Sequence, residues 1–164
     1  MKNNRFFSGM GQVILTAFFT VAGLSLFLSE LKAQELSKGQ LVYVPIYSHI
    51  YYGDREQSFL LTGTLSVRNT DPTQPITLLQ ADYYDSNGKL VRKYLTKPIL
   101  LEPMGSTRFI VKSSDTAGGS GANFLVRWKA ETEVNQPILE GVMIGAAGQQ
   151  GISFTSRGQA IREK

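Results

Sequence analysis

Ile76-Thr77-Leu78-Leu79-Gln80-Ala81-Asp82-Tyr83-Tyr84 and Leu90-Val91-Arg92-Lys93-Tyr94-Leu95 flank the tetrapeptide Asp85-Ser86-Asn87-Gly88. Two apolar-rich runs of strand length around an Asn-Gly pair read as a β-hairpin. Asn and Gly both accept the positive φ that a type I′ turn needs, and that turn's twist matches its flanking strands. The same period of two, rather than 3.6, holds on either side of the hairpin. Upstream, Phe59, Leu61, Leu65 and Val67 fall on one face, while Thr62, Thr64, Ser66 and Arg68 fall on the other, with Gly63 interrupting. Asn69-Thr70-Asp71-Pro72 ends that strand, because Asn and Asp cap backbone groups and proline withholds a donor. Earlier still, Leu41, Tyr43 and Pro45 alternate with Val42, Val44 and Ile46, apolar on both faces, as a central or doubly covered strand would be.

Downstream, Pro98 and Pro103 bound a short edge-like segment. Thr107, Phe109 and Val111 then alternate with Arg108, Ile110 and Lys112. Ala122, Phe124, Val126 and Trp128 are expected to face inward, with Asn123, Arg127 and Lys129 facing out, and Trp128 reads as a core residue. Ile138 to Ala146 and Ile152 to Ser156 complete about eight strands, at the turn spacing of a sandwich or barrel. No segment after residue 33 has the period of an amphipathic helix. Arg157 to Lys164 is polar and is expected to fray as a tail.

The N-terminus carries an address. Lys2 and Arg5 precede an apolar run from Met10 to Leu28, and Leu31-Lys32-Ala33 follows it. A basic start, an apolar middle and a small closing residue are the parts of a secretory signal, with cleavage expected after Ala33. The competing expectation is a retained anchor, since the run approaches the length of a membrane span. In either case the positive charges ahead of the run place the rest outside the cytoplasm, in the periplasm or beyond. Absence of cysteine excludes a lipid anchor, disulfides and thiolate metal sites. From Gln34 onward 131 residues remain, enough for one domain with its own core. Removing Lys2, Arg5, Lys32 and Glu30 lowers the formal net charge from +4 to +2. Arg92-Lys93 is the only adjacent basic pair, so no nucleic-acid footprint is expected.

Few residues suggest chemistry. His49 is the only histidine, with Asp54 and Glu56 near it in Tyr47-Ser48-His49-Ile50-Tyr51-Tyr52-Gly53-Asp54-Arg55-Glu56. Imidazole titrates near neutrality, so a proton-transfer or metal role is conceivable there. One histidine without cysteine is less than a zinc site draws on. A Ser-His-Asp arrangement would have to use His49, yet no G-x-S-x-G elbow presents a nucleophile, and Gly119-Ser120-Gly121 lacks its spacing. The glycine-dense stretch Asp115 to Asn123 opens into a strand rather than a helix and lacks the phosphate-loop ending. It reads as a flexible connection or a ligand-contacting loop. Seven tyrosines (Tyr43, Tyr47, Tyr51, Tyr52, Tyr83, Tyr84 and Tyr94) are either half-buried cross-strand partners or a surface for sugars or peptides. The segment Gln149 to Gly158 offers a strand edge able to accept a partner strand.

Val44-Pro45-Ile46-Tyr47-Ser48-His49-Ile50-Tyr51, Gly53-Asp54-Arg55-Glu56, Ser66-Val67-Arg68-Asn69-Thr70-Asp71, Gly118 to Phe124 and Gly151 to Gly158 together resemble the bacterial family called domain of unknown function 3124. The resemblance covers nearly all of the chain after the leader. It implies a bacterial, often cyanobacterial, exported protein; it implies no activity and transfers no catalytic residue.

The resulting expectation is an all-β chain: an immunoglobulin-like antiparallel β-sandwich of about 7–9 strands over residues 34–164, preceded by an N-terminal signal helix over residues 1–33. Its expected role is binding, to a protein or glycan of the envelope, without a cofactor. His49, Tyr51, Asp54, Arg55, Glu56, Ser120, Asn123 and Arg157 are the candidate contact residues, if the His49 segment and the glycine loop meet at one end. The alternative is a small hydrolase or metal-dependent enzyme centred on His49, which would need an acid within hydrogen-bond reach of His49 inside a concave site.

Overall fold

The computed structural model describes residues 35–162; the expected signal segment, with the cleavage expected after Ala33 and the alternative of a retained anchor, lies outside them. The described residues form twelve strands and no helix. These are β1 (Ser37–Pro45), β2 (His49–Tyr52), β3 (Gln57–Leu60), β4 (Thr62–Arg68), β5 (Ile76–Tyr84), β6 (Leu90–Lys93), β7 (Ile99–Leu101), β8 (Ser106–Val111), β9 (Asn123–Val134), β10 (Ile138–Ala147), β11 (Gln150–Arg157) and β12 (Gln159–Ile161). The number exceeds the expected eight or so because the His49 segment holds a strand of its own, β2, the single strand expected from Phe59 to Arg68 is two, β3 and β4, and the expected tail contains β12.

All pairings are antiparallel. One sheet has the order β12-β1-β9-β5-β6, with β7 also on β5; a second has the order β11-β10-β4-β8; β2 and β3 pair alone. The inward residues of both larger sheets share one core. Val42, Val44, Leu78, Tyr83, Phe124, Val126 and Trp128 come from the first, and Leu65, Val67, Val111, Leu139 and Met143 from the second. The period of two read from the sequence is thus the alternation of core and solvent. Burial of such side chains stabilises by roughly 1.5–3 kcal/mol each, which lets the fold form without disulfides.

Four local expectations are corrected. The 85–88 turn is a hairpin turn but not type I′, because Asn87 does not have positive φ and Gly88 does, at 77°. The Asp85 carboxylate instead accepts from the Asn87 and Lys89 backbone N–H groups, both at 2.8 Å, and Asp85 N donates to Lys89 O. This is a three-residue loop closing on a left-handed glycine. Second, β1 lies inside its sheet, yet only Val42, Val44 and Ile46 reach the core; Leu41, Tyr43 and Pro45 are half-buried on the other face. Third, Asn123 does not face out: it is 9% exposed, at the start of β9 between Pro45 and Tyr84. Fourth, the residues after Arg157 do not all fray, because Ile161, Ala160 and Gln159 pair with Leu41, Val42 and Tyr43. Between β11 and β12 the chain passes from one sheet to the other at Gly158. A Cβ there would stand 2.9 Å from Leu139 O and from Val42 Cγ1, so no larger residue fits the crossing.

The stop at Asn69–Pro72 proves to be a buried polar knot. Asn69 Nδ2 faces the carbonyls of Gln74, Leu101 and Glu102, and its Oδ1 accepts from Asp71 N. Asp71 Oδ1 accepts from Thr73 N, Thr73 Oγ1 and Gln74 N, and Oδ2 from Asn135 N and Nδ2. One turn thereby fastens the loops following β4, β7 and β9.

Candidate functional site

The His49 segment forms a short hairpin set against the core. His49, Ile50, Tyr51 and Tyr52 pair with Leu60, Phe59, Ser58 and Gln57. Ile50 and Phe59 lie on the core side, where the Tyr52 ring meets Phe59 edge-on at 6.3 Å. His49 and Tyr51 occupy the opposite face. The base of the hairpin is tied by Leu61 N donating to Ser48 O at 2.9 Å. Its tip turns at Gly53 to Glu56, where Glu56 N donates to Gly53 O and Glu56 has φ of 50°. Asp54, Arg55 and Glu56 are all exposed at that tip.

His49 is held by neutral hydroxyls, not by an acid. Its Nε2 lies 3.1 Å from Tyr51 Oη and its Nδ1 3.2 Å from Ser48 Oγ, with the Tyr51 ring edge-on at 5.1 Å. Ser48 is 1% exposed, and its hydroxyl donates to Gly119 O at 3.1 Å. With that proton committed, Ser48 Oγ accepts from Nδ1–H, and Nε2 accepts the Tyr51 phenol; this assignment follows from the network. The arrangement is the reverse of an activated serine, whose proton must go to the imidazole. Among the described residues no three His, Asp or Glu side chains stand close enough to hold a metal ion. A groove of about 560 Å³ lies beside Leu41, Leu79, Lys129 and Ile161, and another of about 290 Å³ beside Thr64, Ser66, Arg68 and Arg108; neither includes His49.

Ser48 also brings the glycine loop to the hairpin. Its backbone N–H donates to Gly119 O at 3.2 Å, and Ile46 N donates to Ala122 O at 3.0 Å. From the other side, Ser86 N and Oγ both donate to Gly118 O, and Gly121 N donates to Ser86 Oγ. The loop's first residue, Asp115, pairs with Arg92 at 3.0 Å. Three segments therefore meet at this end: the base of the β2–β3 hairpin, the glycine loop and the 85–88 turn. Ser48 and Ser86 make the junction, and neither was among the candidates. A serine in a turn signals a local hydrogen bond, not a partner dozens of residues away.

The candidates divide accordingly. His49 and Tyr51 touch each other, and Ser120 is half-buried in the adjoining loop. Asn123 is buried below it, and Asp54, Arg55 and Glu56 lie at the hairpin tip. Arg157 stands apart, exposed on β11 opposite Glu140. Beneath the loop, the Tyr83 hydroxyl is buried without a hydrogen-bond partner among the described residues. Burial first, and then the charge of Asp115, push its pKa up to about 12. Tyr94 is also raised by burial; its hydroxyl donates to Ile110 O at 3.2 Å and lies 3.4 Å from Arg92. Of the seven tyrosines, only Tyr51 and Tyr52 are more than half exposed, at 55% and 53%.

A comparison with curated proteins finds no match. Among solved structures the chain is similar to "Crystal Structure of Thermotoga maritima 1070", at 10% identity and a TM-score of 0.44, over 73% of this chain and 92% of that one. The family model described as "Protein of unknown function (DUF3124)" matches residues 39–161, a span that takes in the hairpin, the glycine loop and both larger sheets. The chain belongs to that family.

Proposed function

We propose that this chain is a non-enzymatic binding module of the bacterial envelope, exported by its N-terminal segment, with a protein or glycan as ligand. In this reading the six- and four-stranded sheets are the layers of an immunoglobulin-like β-sandwich, and the β2–β3 hairpin is its contact element. The observation that carries the proposal is the exposure of Tyr51 and Tyr52 on opposite faces of one hairpin. His49 holds the Tyr51 phenol, so little side-chain entropy is lost when that ring packs on a sugar or peptide. Asp54, Arg55 and Glu56 supply a polar rim at the tip.

Binding of the full chain to isolated envelope glycan and to solubilised envelope proteins, followed by co-sedimentation, tests this. Tyr51→Ala is expected to weaken retention by about tenfold, as for an aromatic anchor at a contact centre. Asp54→Ala should weaken it only slightly. Equal retention of wild type and Tyr51→Ala would overturn the assignment of the hairpin. Turnover of an envelope substrate abolished by His49→Ala would replace binding with catalysis.

A further inference from the structure

The five edge strands of the two larger sheets are protected very unequally. β12 and β7 have three residues each, and β7 is bracketed by Pro98 and Pro103. β6 has four, including Arg92 and Lys93, and its pairing with β5 carries a register shift. β8 carries Arg108 and runs into Lys112. Shortness, proline, charge and irregularity are the devices that keep edges from pairing with other chains. β11, Gln150-Gly151-Ile152-Ser153-Phe154-Thr155-Ser156-Arg157, has none of them along its first seven residues. It runs eight residues in unbroken register with β10, without proline or lysine, and with its one charge at the last position.

Its backbone polarity follows from one hydrogen bond. Gly158 N donates to Leu139 O, so residues 158 and 139 are a hydrogen-bonded pair. Alternation along an antiparallel ladder then turns the N–H and C=O groups of Ile152, Phe154 and Ser156 toward β10. Those of Gly151, Ser153, Thr155 and Arg157 point away from the sheet, where β11 has no neighbour among the described residues. On the core side of the strand, Ser156 Oγ donates to Pro45 O, and Phe154 is half-buried against Tyr47, edge-on at 5.7 Å.

We propose that β11 is the interface of a homodimer, pairing antiparallel with β11 of a second copy about a two-fold axis at Phe154. The strand is complementary to itself in that register. Gly151 faces Arg157 of the second copy, and Ser153 faces its Thr155, each pair exchanging backbone hydrogen bonds. No charge meets a like charge. Phe154 meets its own equivalent at a non-hydrogen-bonded position, where opposed side chains come closest and aromatic pairs stabilise. The half-exposed Tyr47–Phe154 pair is thereby covered, and the two four-stranded sheets become one. An unrelated strand would satisfy the backbone groups equally well, but it would not make the central aromatic pair a property of this sequence.

The natural chain has no cysteine, so an introduced thiol reports without background. Phe154→Cys in the full chain, oxidised mildly, is expected to give a disulfide-linked dimer, because residues opposed at a non-hydrogen-bonded position lie within disulfide reach. Ile110→Cys, on the β8 edge, serves as the reference, and the expected excess of dimer over it is about tenfold. Ser153→Pro removes an outward N–H that the fold does not use, so it is expected to abolish the cross-link of Phe154→Cys while leaving the β-sheet circular dichroism unchanged. Should Phe154→Cys misfold, mixing Ser153→Cys chains with Thr155→Cys chains tests the same register. Cross-linking no greater than for Ile110→Cys, or survival of the cross-link beside Ser153→Pro, would overturn the proposal. So would a product whose mass shows one copy joined to a different protein.

Discussion

Asp71 shows how one side chain can be committed wholly to structure. The N–H groups of Asn135, Thr73 and Gln74 and the Thr73 hydroxyl hold its carboxyl at about 2, against the opposing effect of its burial. A depressed carboxyl contributes stability that is present above its unfolded value of about 3.9 and is lost as pH falls through its folded value. Denaturant unfolding followed from about pH 5 to pH 2 should therefore show a loss that Asp71→Asn lacks, the variant being the weaker protein at neutral pH. Tyr83 is the converse case. Its hydroxyl is buried without a hydrogen-bond partner among the described residues, which costs about 1–3 kcal/mol. Tyr83→Phe is expected to raise stability by about 1 kcal/mol, measured by the same unfolding. It should also reduce a loss that wild type shows as pH rises between about 10 and 12, because the buried phenol is harder to ionise in the folded chain than in the unfolded one.

At the scale of the element, turn chemistry separates what was legible from what was not. Glu102-Pro103-Met104-Gly105 closes with Gly105 N donating to Glu102 O, and Met104 has φ of 59° while 69% exposed. Proline followed by a positive φ is the pattern of a type II turn, whose third position favours glycine. Met104→Gly should stabilise by about 1 kcal/mol by relieving left-handed strain, read as a higher Tm with unchanged circular dichroism. Period-two alternation makes β4, β8 and β9 readable from the sequence, since one face of each must be apolar, and the Asn-Gly turn makes β5 and β6 readable. The ends of strands were less readable. The type I′ expectation at Asn87-Gly88 failed because the Asp85 carboxylate caps the loop from outside the pair considered. The β2–β3 hairpin was hidden because its polar tip, Asp54, Arg55 and Glu56, draws attention as candidate contact residues and not as a turn between two strands. The junction of Ser48 and Ser86 on the glycine loop depends on sheet topology, which alternation alone does not specify.

At the scale of the whole molecule, the passage at Gly158 decides how the two larger sheets end. β11 leaves the four-stranded sheet, and two residues later β12 lies on β1. The same chain thus exposes one edge and covers another. On the covered side, Ile161 lies opposite Leu41, and Gln159 to Ile161 occupy one side of β1 at Leu41–Tyr43. A chain ending at Gly158 would keep β11 and uncover that stretch of β1. The lost ladder bonds and apolar contact should cost about 2 kcal/mol, seen as a lower midpoint in denaturant. The newly bare segment, Leu41-Val42-Tyr43, is β-branched and aromatic without a charge, the composition that promotes edge-to-edge association. Light scattering of the truncated chain should therefore rise with concentration even when Ser153→Pro has closed the β11 edge. If the truncated Ser153→Pro chain scatters no more than full-length Ser153→Pro, β12 is not what protects β1.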